Sequence, residues 1–189
     1  YEVSASINDV KVIEARLNPD YSLNADKVLT AINPETKIIF LCNPNNPTGN
    51  TISKVEMLKI IDGFEGIVVV DEAYIDFAPD KTMVQALKSL PNLVVLQTFS
   101  KAWGLAALRL GMAFASSEII GVLNRIKPPY NINSHTQEQA LLALKNFMTK
   151  EKMVMEILGE RDYLVSQLAN LPKVITKVFP SEANFILVK

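Results

Sequence analysis

The segment that most constrains the fold is Ile67-Val-Val-Val-Asp71, an unbroken aliphatic run closed by a carboxylate. Apolar side chains at successive positions leave a strand with no polar face. Such a strand belongs inside a sheet covered on both sides, which is the usual setting of parallel strands. Two similar runs flank it, Lys37–Cys42 and Leu93–Phe99, rich in β-branched and aromatic residues. Between the first two lies Ser53–Phe64, whose apolar spacing predicts a helix. There Ser53 reads as N-cap, with Glu56 completing a capping box. Thr82–Leu90 predicts a short helix before the third run. Strand, helix, strand at this spacing is the βαβ unit. The fold class is therefore α/β, with three α/β/α layers about a mainly parallel sheet.

One connection departs from the pattern. Only nine residues, Ser100 to Leu108, separate the third run from Arg109–Ser116. A parallel crossover needs about 10–12 or more, so the next strand is expected to run antiparallel. Its first residue, Arg109, then sits beside the C-terminal ends of the parallel strands. Upstream, Val10–Ala15 is a short apolar-rich run, and Ala25–Ile32 has helical spacing with Asn24 as its cap. Downstream, helices are expected at Gln137–Phe147 and Glu151–Leu168, and strands at Lys173–Phe179 and Asn184–Lys189. These define residues 1–150 as a large domain and 151–189 as the start of a small α+β domain. The chain opens at Tyr1 without an initiator Met and ends on a strand-like run, so it reads as a piece of a longer protein.

Composition narrows the partners. Nineteen Lys and Arg face 20 Asp and Glu, a net charge of −1, which gives no electrostatic footprint for nucleic acid or an anionic membrane. No apolar stretch approaches the roughly 20 residues of a membrane helix. The single cysteine, Cys42, allows no internal disulfide and fits a reducing, cytoplasmic setting.

In open α/β sheets ligands bind beyond the carboxyl ends of the strands. Asn43-Pro-Asn-Asn-Pro-Thr-Gly49 follows the first run, Asp71-Glu-Ala-Tyr74 closes the second, and Thr98, Ser100 and Lys101 follow the third. With Arg109, one rim collects an amide, a carboxylate, a phenol, two hydroxyls and two cations, the profile of an active site. Taken singly, each has an ordinary reading. Asn43–Gly49 is also a turn sequence. Asp71 is also a cap, Tyr74 a half-buried aromatic, Lys101 a surface lysine, and Arg109 an ion-pair partner for Asp71. Cys42 reads as core and His135 as a surface or capping residue.

The order is more telling than any member. Asn45-Asn-Pro-Thr-Gly49, Asp71-Glu-Ala-Tyr74, Thr98-Phe-Ser-Lys101 and Arg109 together resemble the fold-type I aminotransferases, pyridoxal-phosphate enzymes of the aspartate aminotransferase superfamily. Val70–Phe77, Ser100–Leu105, Leu108–Gly111 and Ser181–Phe185 are similar to its histidinol-phosphate branch.

The resemblance implies that Lys101 forms the covalent bond to the cofactor aldehyde and later shuttles the substrate proton. It implies that Asp71 pairs with the pyridine nitrogen and that Asn46 and Tyr74 bond the ring oxygen. Arg109, Ser100 and Thr98 would hold the phosphate. The implied reaction takes histidinol phosphate and 2-oxoglutarate to imidazole-acetol phosphate and glutamate, a step of histidine biosynthesis. A cytoplasmic homodimer is implied, with the Lys127–Asn131 loop facing the partner subunit. The Gly-rich phosphate loop, the ring-stacking aromatic and the substrate-binding arginine of relatives have no counterpart in these 189 residues. The chain alone is thus expected to bind cofactor weakly and turn over poorly. A threonine-phosphate decarboxylase or another aminotransferase would share Lys101, Asp71 and Asn46. A non-catalytic regulatory module would share the fold.

Overall fold

A computed structural model describes all 189 residues. Its centre is a four-stranded sheet of β1 (Ile38–Cys42), β2 (Ile67–Asp71), β3 (Leu93–Thr98) and β4 (Gly111–Phe114), adjacent in that order. The first three are parallel, and β4 runs antiparallel to β3. The short link before Arg109 therefore has the consequence expected of it. The register sets Cys42 opposite Asp71, Asp71 opposite Leu96, and Thr98 opposite Gly111. All three parallel strands thus end at one rim.

The short helix α1 (Glu2–Ile7) buries no side chain, and the main core lies between the sheet and α2 (Ala25–Thr30) with α3 (Lys54–Asp62). Met57, Ile60 and Ile61 recur at helical spacing and meet Leu41, Val68, Val70, Leu93 and Val95. Each such side chain contributes about 1.5–3 kcal/mol when fully buried. Val69 and Val94 are buried on the opposite face, while Ile38 and Phe40 of β1 stay exposed there.

Several local expectations need correction. Asn24 does cap α2, accepting from the Lys27 N–H at 3.1 Å. The capping box at α3 does not form. Ser53 makes no side-chain cap bond, and Glu56 instead accepts from the Ala25 N–H at 2.5 Å. The neighbouring helix start offers an equally orphaned donor, and bonding it ties two helices together. Thr82–Leu90 yields only a 3₁₀ stretch, Val84–Lys88, because its entry is pinned where Glu72 takes the Met83 N–H.

Beyond β4 come α4 (Ser117–Ile126), α5 (Ser134–Lys145) and α6 (Phe147–Ala169). The expected strands at 173–179 and 184–189 reduce to one antiparallel bridge, Val178 with Val188. A lone pair of segments has no third strand to consolidate it. Val10–Ala15 is exposed and pairs with nothing.

A second apolar cluster joins Tyr74, Phe77, Ala102, Val154 and Ala183, with Ile157, Leu158 and Phe185 packed against it. It seats α6 and the 181–185 segment on the loops of the rim. Lys150 of α6 pairs with Asp76 at 2.9 Å, both side chains being largely buried, and lies 5.2 Å from the Trp103 ring centroid.

Candidate active site

The loop after β1 is held from below. Asn43 is fully buried; its Oδ1 accepts from the Ile52 N–H at 2.8 Å. The Gly49 N–H donates to the Asn45 carbonyl at 2.7 Å, closing a turn in which Gly49 has φ +78°. That left-handed backbone favours glycine, and a Cβ there would stand 2.6 Å from Ser181 Oγ. The turn presents Asn46, whose Nδ2 donates to the Tyr74 hydroxyl at 2.9 Å.

Tyr74 is buried and meets Phe185 edge-on, centroids 5.1 Å apart. Lys101 is exposed, and its Nζ stands 5.1 Å from the Tyr74 ring centroid. No carboxylate pairs with this ammonium. Asn46, Tyr74 and Lys101 are therefore brought together as one group.

Asp71 is half-buried at the end of β2. Its Oδ1 accepts from the Ala73 N–H at 3.0 Å, so it does act as a local cap. Its Oδ2 accepts from the hydroxyl of Tyr1. Arg109 makes no ion pair with Asp71, its guanidinium donating to the Ala106 carbonyl instead. Beyond β3, Thr98 Oγ1 lies 3.0 Å from Ser100 Oγ and accepts from the Ser100 N–H at 3.1 Å. Arg109 follows a 3₁₀ turn, Ala106–Leu108, with left-handed φ of 51°. It is exposed, and its Nη1 donates to the Ala106 carbonyl at 3.0 Å. The rest of the guanidinium is available. Arg109 sits two residues before Gly111, the partner of Thr98, but its side chain makes no hydrogen bond to Thr98 or Ser100.

Cys42 is half-buried at the same rim, and burial followed by the Asp71 charge pushes its thiol up, making it a poor nucleophile. His135 is exposed in the first turn of α5, away from the rim.

The sequence reading missed two residues. Glu72 is fully buried and accepts from Thr82 Oγ1 at 2.7 Å, the Met83 N–H at 2.5 Å and Gln97 Nε2 at 2.8 Å. Burial pushes its carboxyl up, against these bonds. A charge directly after a doubly buried strand was the available signal. The contact of Tyr1 with Asp71 had no local signal, since 70 positions separate them.

No helix is long and apolar enough to cross a membrane, and no cluster of His, Cys, Asp and Glu is placed to hold a metal ion.

The mainly parallel sheet with its polar rim at the strand ends is an α/β arrangement that gathers these side chains at one edge. Residues 1–189 match the family Aminotransferase class I and II, and the chain belongs to it. It is 58% identical over 189 residues to the histidinol-phosphate aminotransferase of Cytophaga hutchinsonii, covering 100% of this chain and 54% of that protein. The crystal structure of the histidinol-phosphate aminotransferase from Clostridium acetobutylicum superposes with a TM-score of 0.92 at 25% identity, over 100% of this chain and 58% of that one. A histidinol-phosphate aminotransferase from Sinorhizobium meliloti, solved in complex with pyridoxal-5′-phosphate, shares the fold with a TM-score of 0.88 at 22% identity, over 99% of this chain and 51% of that one. The chain spans about half the length of the curated relatives it matches.

Proposed function

We propose that the protein transfers the amino group of histidinol phosphate to 2-oxoglutarate, using pyridoxal phosphate. The observation that carries this is the Lys101 ammonium, free of any carboxylate, over a Tyr74 whose hydroxyl accepts from Asn46. The names of the relatives supply the substrate class.

The donor set fits the cofactor. A phosphate ester needs several donors, and Thr98, Ser100 and the largely free guanidinium of Arg109 supply them. A pyridine ring needs an acidic partner for its nitrogen, and Asp71 keeps acceptor capacity beyond its two bonds. Tyr74 accepts from Asn46 and so keeps its own proton to donate to the ring oxygen. When bound, the cofactor supplies the electron sink for the pair left on the substrate's α-carbon.

The chain's own residues do the rest. Lys101 is the one amine at the rim able to bind the cofactor and to carry a proton to and from the substrate carbon. Asp71 would face the ring nitrogen and favour its cationic form. Residues 1–150 form the large domain in this reading, and 151–189 begin the small one. A cytoplasmic homodimer belongs to the same reading, with the loop at Lys127–Asn131 facing the partner subunit.

The test is a donor panel with 2-oxoglutarate on the protein in its full-length natural form. Histidinol phosphate should yield glutamate. Lys101→Ala should cut turnover by on the order of 10³-fold or more while the fold persists by circular dichroism. Release of CO₂ from threonine phosphate, with no glutamate formed, would replace transamination by decarboxylation. Full activity in Lys101→Ala would end the enzymatic reading of this rim.

A further inference from the structure

Phe40, Cys42, Val69 and Asp71 share one face of the sheet, because side chains alternate and the register pairs Phe40 with Val69 and Cys42 with Asp71. Tyr1 lies on this face. Its ring stacks on Phe40 with centroids 4.1 Å apart and planes 25° apart. From that platform its hydroxyl reaches Asp71 Oδ2, while the Ala73 N–H holds Oδ1. One remote side chain and one local N–H thus grip the two oxygens of one carboxylate.

We propose that Tyr1 is a positioning residue for Asp71, fixing the orientation of the carboxylate toward the pyridine nitrogen. This rests on the pyridoxal-phosphate reading of the rim. A phenol donating to a carboxylate makes a charge-assisted bond, shorter and stronger than a neutral one. The stack on Phe40 orients the hydroxyl, so the bond costs little ordering. Burial first, and then the bond to Asp71, push the Tyr1 hydroxyl far up, so it remains a donor at any working pH. An ionised carboxylate has about four acceptor sites, so two bonds still leave room for a ring N–H. Its side-chain contacts are with Asp71 and Phe40, so Tyr1 acts through Asp71.

The experiment uses Tyr1→Phe in the full-length protein, which keeps the ring and its stack and removes only the hydroxyl. Apparent affinity is measured by fluorescence for pyridoxal phosphate and for its analogue with carbon in place of the ring nitrogen. Tyr1→Phe should weaken pyridoxal phosphate about tenfold, the scale of one bond to a charged group. The analogue, which offers Asp71 no N–H, should bind wild type and variant alike. In an Asp71→Asn background the Tyr1→Phe effect on pyridoxal phosphate should vanish. Equal weakening of both ligands would mean that Tyr1 is merely structural and would overturn the inference. Tighter binding by the variant would overturn it too, by showing that Tyr1 competes with the ring. If wild type binds neither ligand, the reading of the rim itself fails and the inference falls with it.

Discussion

Glu72 offers the sharpest test of how the rim is built. Replacing it with alanine leaves the Met83 N–H, the Thr82 hydroxyl and one Gln97 N–H without their acceptor. Met83 is fully buried, so its N–H has no water to turn to. That donor alone costs about 1–3 kcal/mol. Thr82 and Gln97 are half-buried and add about 1 kcal/mol each. With the void left behind, Glu72→Ala should cost about 3–5 kcal/mol. At about 2–4 °C per kcal/mol for a chain of this size, the melting temperature should fall by roughly 6–20 °C.

Glu72→Gln keeps the volume and one acceptor oxygen, and should cost about 1–2 kcal/mol. Its pH dependence carries a definite sign. Burial raises the folded-state value of Glu72 above the ordinary 4.5. The folded state therefore holds a proton that the unfolded state has already released. The contribution of this group is fullest below the unfolded value and is lost as pH rises through the folded one. Urea unfolding from pH 4 to pH 7 should show the gap between wild type and Glu72→Gln narrowing as pH rises. A gap that widens, or a Glu72→Ala variant within about 0.5 kcal/mol of wild type, would refute the reasoning.

Two further substitutions probe the frame. Gly49→Ala should destabilise by about 2 kcal/mol in urea unfolding, from its φ of +78° and from a Cβ 2.6 Å from Ser181 Oγ. It should also loosen Phe185, whose carbonyl accepts from that same Ser181 hydroxyl, and so change Tyr74 fluorescence. Asn92 Nδ2 reaches the carbonyls of Ile61, Phe64 and Gly66 at 3.1, 3.0 and 3.3 Å. Asn92→Ala should cost about 1–2 kcal/mol, and Asn92→Asp more, because a carboxylate would face three acceptors; a stable Asn92→Asp would count against this.

The parallel core was legible because Ile67–Asp71 has no polar face and admits only a doubly covered position. The antiparallel β4 was legible from loop length alone. The rim was legible as an ordered set of strand-end residues, and its pairings were not. Asn46 meets Tyr74 across 28 positions, and Tyr1 meets Asp71 across 70. No local spacing encodes such contacts. The capping box failed for a related reason. Glu56 met a competing donor on another helix, and tertiary contact overrode the local motif. The segment after Leu171 failed because strand propensity alone does not supply a neighbouring strand.

The strand order leaves β1 and β4 as the two borders of the sheet. Each border presents a row of backbone N–H and C=O groups facing outward, and β1 adds the exposed side chains of Ile38 and Phe40. A border of this kind is adhesive. It accepts any extended segment that reaches it, including the same border of another molecule. What lies along β1 and β4 therefore decides whether the sheet remains a soluble scaffold for its rim or becomes a seed for aggregation.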